Sequence, residues 1–145
     1  MKLVKSMRLL ICFVSLSFMS VMARADIKAD IDRIASSLDQ CTKSDSSNTG
    51  TKQCVWTAYQ DADKLLNRTY QDLSKAWIGN DSGAVERKKR LVFAQRAWIA
   101  FRDANCVLEA SAMLGGSGET LVEGGCLYKA TVDRVYQLEE LMKQN

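Results

Sequence analysis

The chain has 145 residues, no histidine and no proline, and carries 20 basic against 17 acidic side chains. The basic excess sits at the N-terminus: without Lys2, Lys5, Arg8 and Arg24, 16 basic groups face 17 acidic ones. A body so close to neutrality gives no electrostatic support for nucleic-acid binding, and the absence of histidine removes the usual base for a serine nucleophile and a common zinc ligand.

Lys2, Lys5 and Arg8 precede an apolar stretch from Leu9 to Met22, and Ala23-Arg24-Ala25 then offers small residues on either side of an arginine. This order of basic, apolar and small residues predicts a secretory signal peptide over 1–25, with Asp26 as the mature N-terminus. The apolar run is shorter than the roughly 20 residues a membrane span needs. Lipid attachment at Cys12 fits poorly, because the cysteine lies early in the apolar stretch and follows Ile11 rather than a small residue. The expected product is one exported domain over 26–145, periplasmic or secreted, without a transmembrane anchor after cleavage.

Within that domain Ile27, Ile31, Ile34 and Leu38 recur at helical spacing and predict a short first helix over 26–40. Asp26, Asp30 and Asp32 occupy its early turns, where the helix dipole favours acids. Thr42–Thr51 is polar, contains Gly50, and reads as a loop. A second helix is predicted from about Lys52 to Trp77, roughly 35–40 Å long, on the stripe Val55, Tyr59, Ala62, Leu66, Thr69 or Tyr70, Leu73 and Trp77. The clearest break is Gly79-Asn80-Asp81-Ser82-Gly83, where Gly and Asn suit a helix end and Asp81 or Ser82 a following cap. A third helix over 83–113 has Leu91, Ala94, Trp98, Phe101, Asn105 and Leu108 as its inward set, with Trp98 and Phe101 in the core. Leu114–Gly125 reads as a loop with glycine at 115, 116, 118, 124 and 125, and a last helix uses Leu127, Thr131, Val135, Leu138 and Met142. Together these elements predict an all-α antiparallel bundle of three long helices with a shorter N-terminal one.

Cys41, Cys54, Cys106 and Cys126 remain after signal removal, an even number that in an exported domain implies two disulfides. Three connectivities are open. The pairs Cys41–Cys54 and Cys106–Cys126 are favoured because each brackets a turn-rich segment between helical ones. Neither interval is a short zinc-knuckle spacing, and no CxxC redox pair is present. The glycine-rich stretch GGSGETLVEGG lacks the phosphate-loop lysine pattern and follows no recognisable strand. Glu139 and Glu140 are adjacent and do not face each other across a cleft. No catalytic residue, metal site or cofactor is expected.

The third helix carries a stripe that does not look like an ordinary core. Gln95, Trp98, Arg102 and Cys106 share one side of the helix, followed by Gly115-Gly116-Ser117 and Cys126. Arg102 is expected to extend its stem over the core toward Asp103, Glu109 or a loop carbonyl, and to hold the segment between Cys106 and Cys126. Gln95 is expected to bond a backbone carbonyl or the Tyr70 hydroxyl. Basic groups cluster at Arg87, Lys88, Lys89 and Arg90, which read as a solvated helix face or a contact for anionic lipid or glycan.

Set beside Leu66-Asn67-x-x-Tyr70-x-x-Leu73, with Gln95-x-x-Trp98-x-x-x-Arg102-Asp103-x-x-Cys106 and Thr131-x-x-Arg134, this order of residues resembles the domain family named after the lysozyme inhibitor LprI, over about residues 41–142. The resemblance implies a disulfide-linked helical domain of the Gram-negative periplasm or bacterial envelope, with no catalytic chemistry. It makes Asn67, Tyr70, Gln95, Trp98, Arg102, Asp103 and Arg134 scaffold residues. It raises lysozyme inhibition as a function, with Ser117, Glu119 and Glu123 of the 115–125 loop as candidate partner contacts. The alternative is an envelope protein-interaction module with no lysozyme target.

Overall fold

The computed structural model describes residues 27–77 and 82–144; the predicted signal peptide, and Gly79 to Asp81 of the central break, lie outside them. Four α-helices follow one another: α1 over 27–44, α2 Asn48–Ala76, α3 Ser82–Ala110 and α4 Glu119–Lys143, with a 3-10 turn Ser111–Met113 between the last two. Two disulfides, Cys41–Cys54 and Cys106–Cys126, close with Cα–Cα separations of 5.7 and 5.4 Å. The all-α bundle and both cysteine pairings are as the sequence predicts.

The helices alternate in direction. Asn48 near the start of α2 bonds Ser117 just before α4, and the Trp56 indole donates to the Thr120 carbonyl, so α2 and α4 run parallel. The packing of α4 is most extensive against α2, and α3 lies against α4. The first helix runs antiparallel to α2, tied by Cys41–Cys54 at one end and by Asp30 with Arg68 toward the other. Ile27, Ile31, Leu65, Leu66, Leu73, Leu91, Val135 and Leu138 form the core between them.

The predicted loops are shorter in the structure. Only 45–47 remain between α1 and α2. There the Ser47 hydroxyl accepts from the Gly50 N–H as an N-cap, while Asp45 accepts from the Ser47 N–H. A Cβ at Gly50 would lie 2.1 Å from the Asp45 side chain, so glycine lets the turn close there. The Leu114–Gly125 loop ends at Gly118, because α4 already begins at Glu119. Gly124 and Gly125 are therefore helical. Gly124 permits close helix approach: a Cβ there would meet Val55 and the Trp56 indole at 3.1 Å.

The inward set of α3 differs most from expectation. Ala94, Phe101 and Leu108 face solvent, the last two at 66% and 69% exposure. The buried positions are Ala84, Leu91, Gln95, Arg102, Cys106 and Ala110, with Trp98 packed against the core cluster. The face that carries the polar stripe is the one turned inward, and a second apolar face is left outside.

Asp30 also departs from the simple dipole reading. It is buried, and Arg68 of α2 and Arg33 of its own helix both bond its carboxylate, the latter at 2.5 Å. The Arg68 hydrogen bond, reinforced by Arg33, holds the acid below its ordinary value of 3.8 despite partial desolvation. The unfolded chain thus takes up this proton before the folded one does. The stabilisation is whole above about pH 4 and is lost as pH falls through the lower folded value. Acid titration of stability should accordingly be shallower below about pH 4 in Asp30→Asn than in the parent; identical acid limbs by circular dichroism would refute this.

Candidate functional site

Three helices converge on Arg102, which is 5% exposed. Its Nε and Nη2 both lie 2.8 Å from Asp103 Oδ1, while Nη1 donates to Asp63 Oδ1 of α2 at 3.2 Å and to Thr131 Oγ1 of α4 at 3.1 Å. Asn67 donates to the other oxygen of Asp63 at 3.1 Å, one helical turn away, and so orients the acceptor. The guanidinium stacks over Tyr59 and Trp98, with Cζ 5.4 and 5.1 Å from the ring centroids. Burial alone disfavours this charge, but the bonds to Asp103 and Asp63 and the nearby Tyr59 outweigh it and hold the group above its ordinary value. The Tyr59 phenol is pushed up, chiefly by burial.

A second arginine continues the network. Arg134 Nε donates to Gln95 Oε1 at 3.1 Å and Nη1 to Gln137 Oε1 at 2.9 Å, and its Cζ lies 5.5 Å from the Trp98 ring centroid. Trp98 thus carries two guanidinium groups, a use of an aromatic ring that hydrocarbon packing alone would not produce. Burial lowers Arg134 from its ordinary value, yet a guanidinium keeps its proton.

The structure joins Asn67, Gln95, Trp98, Arg102, Asp103 and Arg134 through Asp63, Tyr59 and Thr131, whereas Tyr70 packs on the apolar core. Gln95 meets Arg134 rather than Tyr70 or a carbonyl. Glu109 accepts from Asn105 at 2.8 Å and does not reach Arg102. Arg102 grips α2 and α4 and makes no bond to the loop between Cys106 and Cys126, so the expected loop-holding role is not what its geometry provides. Asp63 and Gln137 were not singled out in the sequence. The available signal was polarity beside an inward stripe: Asp63 follows the fully buried Ala62.

Chemically this is a fastening between helices. Asp63 and Asp103 both bond one guanidinium, which fixes the arginine of α3 against α2. Among the described residues no group of three or more His, Cys, Asp or Glu is placed to hold a metal ion.

The loop end of the bundle has a different character. Both disulfides lie toward it, and between them are the short turns 45–47 and 114–118. Gly115 adopts φ 72°, which favours glycine, and its N–H donates to Glu119 Oε2 at 2.8 Å. Ser117 Oγ accepts from Asn48 Nδ2 at 3.1 Å, so both Ser117 and Glu119 already help to shape the turn. Ser117 remains exposed and Glu119 and Glu123 half-buried. Met113 and Leu114 project beside them, 51% and 77% exposed. Elsewhere, a groove of about 430 Å³ between α1 and α2 is lined by Asp30, Arg33, Asp61, Lys64 and Arg68, whose charges pair with one another.

Residues 41–138 match the family described as Lysozyme inhibitor LprI, a span that contains both disulfides and the whole arginine network. An uncharacterized protein of Rhizobium meliloti (strain 1021) is 37% identical over 100 residues, covering 62% of this chain and 70% of the relative. No solved structure matches.

Proposed function

The chain belongs to the lysozyme inhibitor LprI family, and from that premise we propose that it is an exported, non-enzymatic binding protein of the periplasm that inhibits a lysozyme through its loop end. The family match carries the reading. Two disulfides are consistent with an extracytoplasmic protein, and no helix among the described residues is long and apolar enough to cross a membrane.

Lysozyme cleaves between two carboxyl groups in a cleft, and c-type enzymes are cationic outside it. A fitting inhibitor therefore combines a narrow rigid projection with flanking acids. The 114–118 turn, cross-linked by Cys106–Cys126, offers the projection, with Ser117 at its tip and Met113 and Leu114 as apolar contacts. Glu119 and Glu123 supply the acids, now on the first turns of α4. The alternative is an envelope protein-interaction module without a lysozyme target. It draws support from the inward bonding of the signature residues, which ties them to the scaffold more than to any one partner.

Turbidity assays of cell-wall lysis separate the two. The disulfide-closed protein should slow lysis by at least one lysozyme type at micromolar concentration, and Leu114→Asp with Glu123→Lys should abolish the effect without changing the melting temperature. Undiminished lysis with every lysozyme type would reject the inhibitor reading, and a specific non-lysozyme partner captured from envelope extract would support the alternative.

A further inference from the structure

The surface of α3 turned away from the bundle is apolar along most of its length. Phe93, Ala97, Phe101, Ala104 and Leu108 recur at spacings that keep them on one side, opposite Gln95, Arg102 and Cys106, and all five are exposed. Phe93 is 77% exposed and Val107, beside the strip, 59%. Aromatic and aliphatic side chains aligned over four helical turns are a contiguous patch, and such patches mark contact surfaces.

The charges beside the strip are one-sided. Toward the N-terminal half, Val85, Val92 and Phe93 floor a shallow groove of about 430 Å³ rimmed by Lys88, Lys89 and Arg96. Among the described residues these three cations form no ion pair. The neighbouring acids are committed, Glu86 to Arg90 at 2.8 Å and Asp103 to Arg102.

We propose that this face docks on a lipid surface rich in anionic headgroups, with Phe93, Phe101 and Leu108 entering the interface and Lys89 and Arg96, which flank the strip, taking lipid phosphates. Charge complementarity selects the occupant. Pairing with a second copy of α3 would bring these cations to a helix whose nearby acids are already bonded, whereas an anionic bilayer supplies a phosphate for each and room for the apolar knobs below. A cationic lysozyme would be repelled here, so this surface is independent of the loop end. From Phe93 to Leu108 the strip is about 22 Å long and faces outward along that whole length, which suits a bilayer better than an enclosed free fatty acid. Long basic side chains can place their heads at phosphate level while their stems lie along the apolar surface.

The test is flotation of the exported, disulfide-closed protein with vesicles of phosphatidylglycerol and phosphatidylcholine in equal amounts, against pure phosphatidylcholine, its N-terminus read by mass spectrometry. Binding is expected to the anionic vesicles only and to weaken several-fold as salt rises. Replacing Lys89 and Arg96 by Glu should reduce partition by at least roughly 25-fold, taking about 5-fold per lost cation. Phe93→Asp with Phe101→Asp should abolish it, and both sets should keep the parent melting temperature because the residues are exposed. Equal binding to neutral vesicles, no binding at low salt, or a dimer by sedimentation that the Phe93→Asp/Phe101→Asp variant dissociates would overturn the proposal.

Discussion

Arg102→Ala should lower the stability of the folded chain by about 2–4 kcal/mol, a melting shift of roughly 10–15 °C. The loss has separable sources. Thr131, fully buried, would keep its hydroxyl without the donor now at 3.1 Å, and an unsatisfied buried polar group costs about 1–3 kcal/mol. The stacking of the guanidinium on Tyr59 and Trp98 contributes roughly another 0.5–2 kcal/mol. Asp63 and Asp103 contribute less to the penalty, because at 38% and 54% side-chain exposure water can take the place of the arginine. Arg102→Lys tests the geometry: it keeps a charge, but a single ammonium cannot reproduce a planar fork that serves Asp63, Asp103 and Thr131 together. It should recover less than half of the loss. A stability for Arg102→Ala within about 0.5 kcal/mol of the parent would show that the network is incidental.

That prediction rests on a face of α3 that was only half legible in the sequence. The spacing of Gln95, Trp98, Arg102 and Cys106 marks one side of a helix, and that side is the buried one. The competing apolar set, Ala94, Phe101 and Leu108, obeys the same periodicity on another side. Hydrophobic patterning finds the core when a helix has one apolar stripe; α3 has an inward polar-aromatic stripe and an outward apolar one, so a rule that buries hydrocarbon favours the wrong side. In α4 the stripe Leu127, Thr131, Val135 and Leu138 was read correctly, and all four are buried.

Loop boundaries failed for a related reason. Gly124 and Gly125 look like turn residues, yet α4 begins before them, and Gly124 serves close packing against Val55 and Trp56. Glycine at a helix crossing and glycine in a turn are the same letter, and only the partner helix distinguishes them. Asp63 shows the limit at the candidate site. Its role depends on Asn67 behind it and on Arg102, which lies 39 residues further along the chain. Chain-local patterns carry no information about that meeting. The disulfides were more accessible, since each joins helices across a segment whose composition already reads as a turn.

Removing Cys106–Cys126 by paired alanine substitution should cost about 3 kcal/mol, and removing Cys41–Cys54 nearly the same, because loop entropy depends only logarithmically on separations of 20 and 13 residues. Equal cost with unequal consequence is the informative expectation. Cys106–Cys126 spans the 114–118 turn, so its loss releases the segment that holds Gly115, Ser117 and Glu119 in register. Cys41–Cys54 spans the 45–47 turn and leaves that segment fastened. Amide exchange at Val122, whose N–H donates to the Gly118 carbonyl at 3.0 Å, should therefore accelerate far more in the first variant than in the second. Lysis assays run well below both melting temperatures extend the comparison. If the loop end is the inhibitory surface, the Cys106→Ala/Cys126→Ala protein loses potency while still folded, and the Cys41→Ala/Cys54→Ala protein keeps it. Equal retention by both would detach inhibition from the 114–118 turn and move the search to another face.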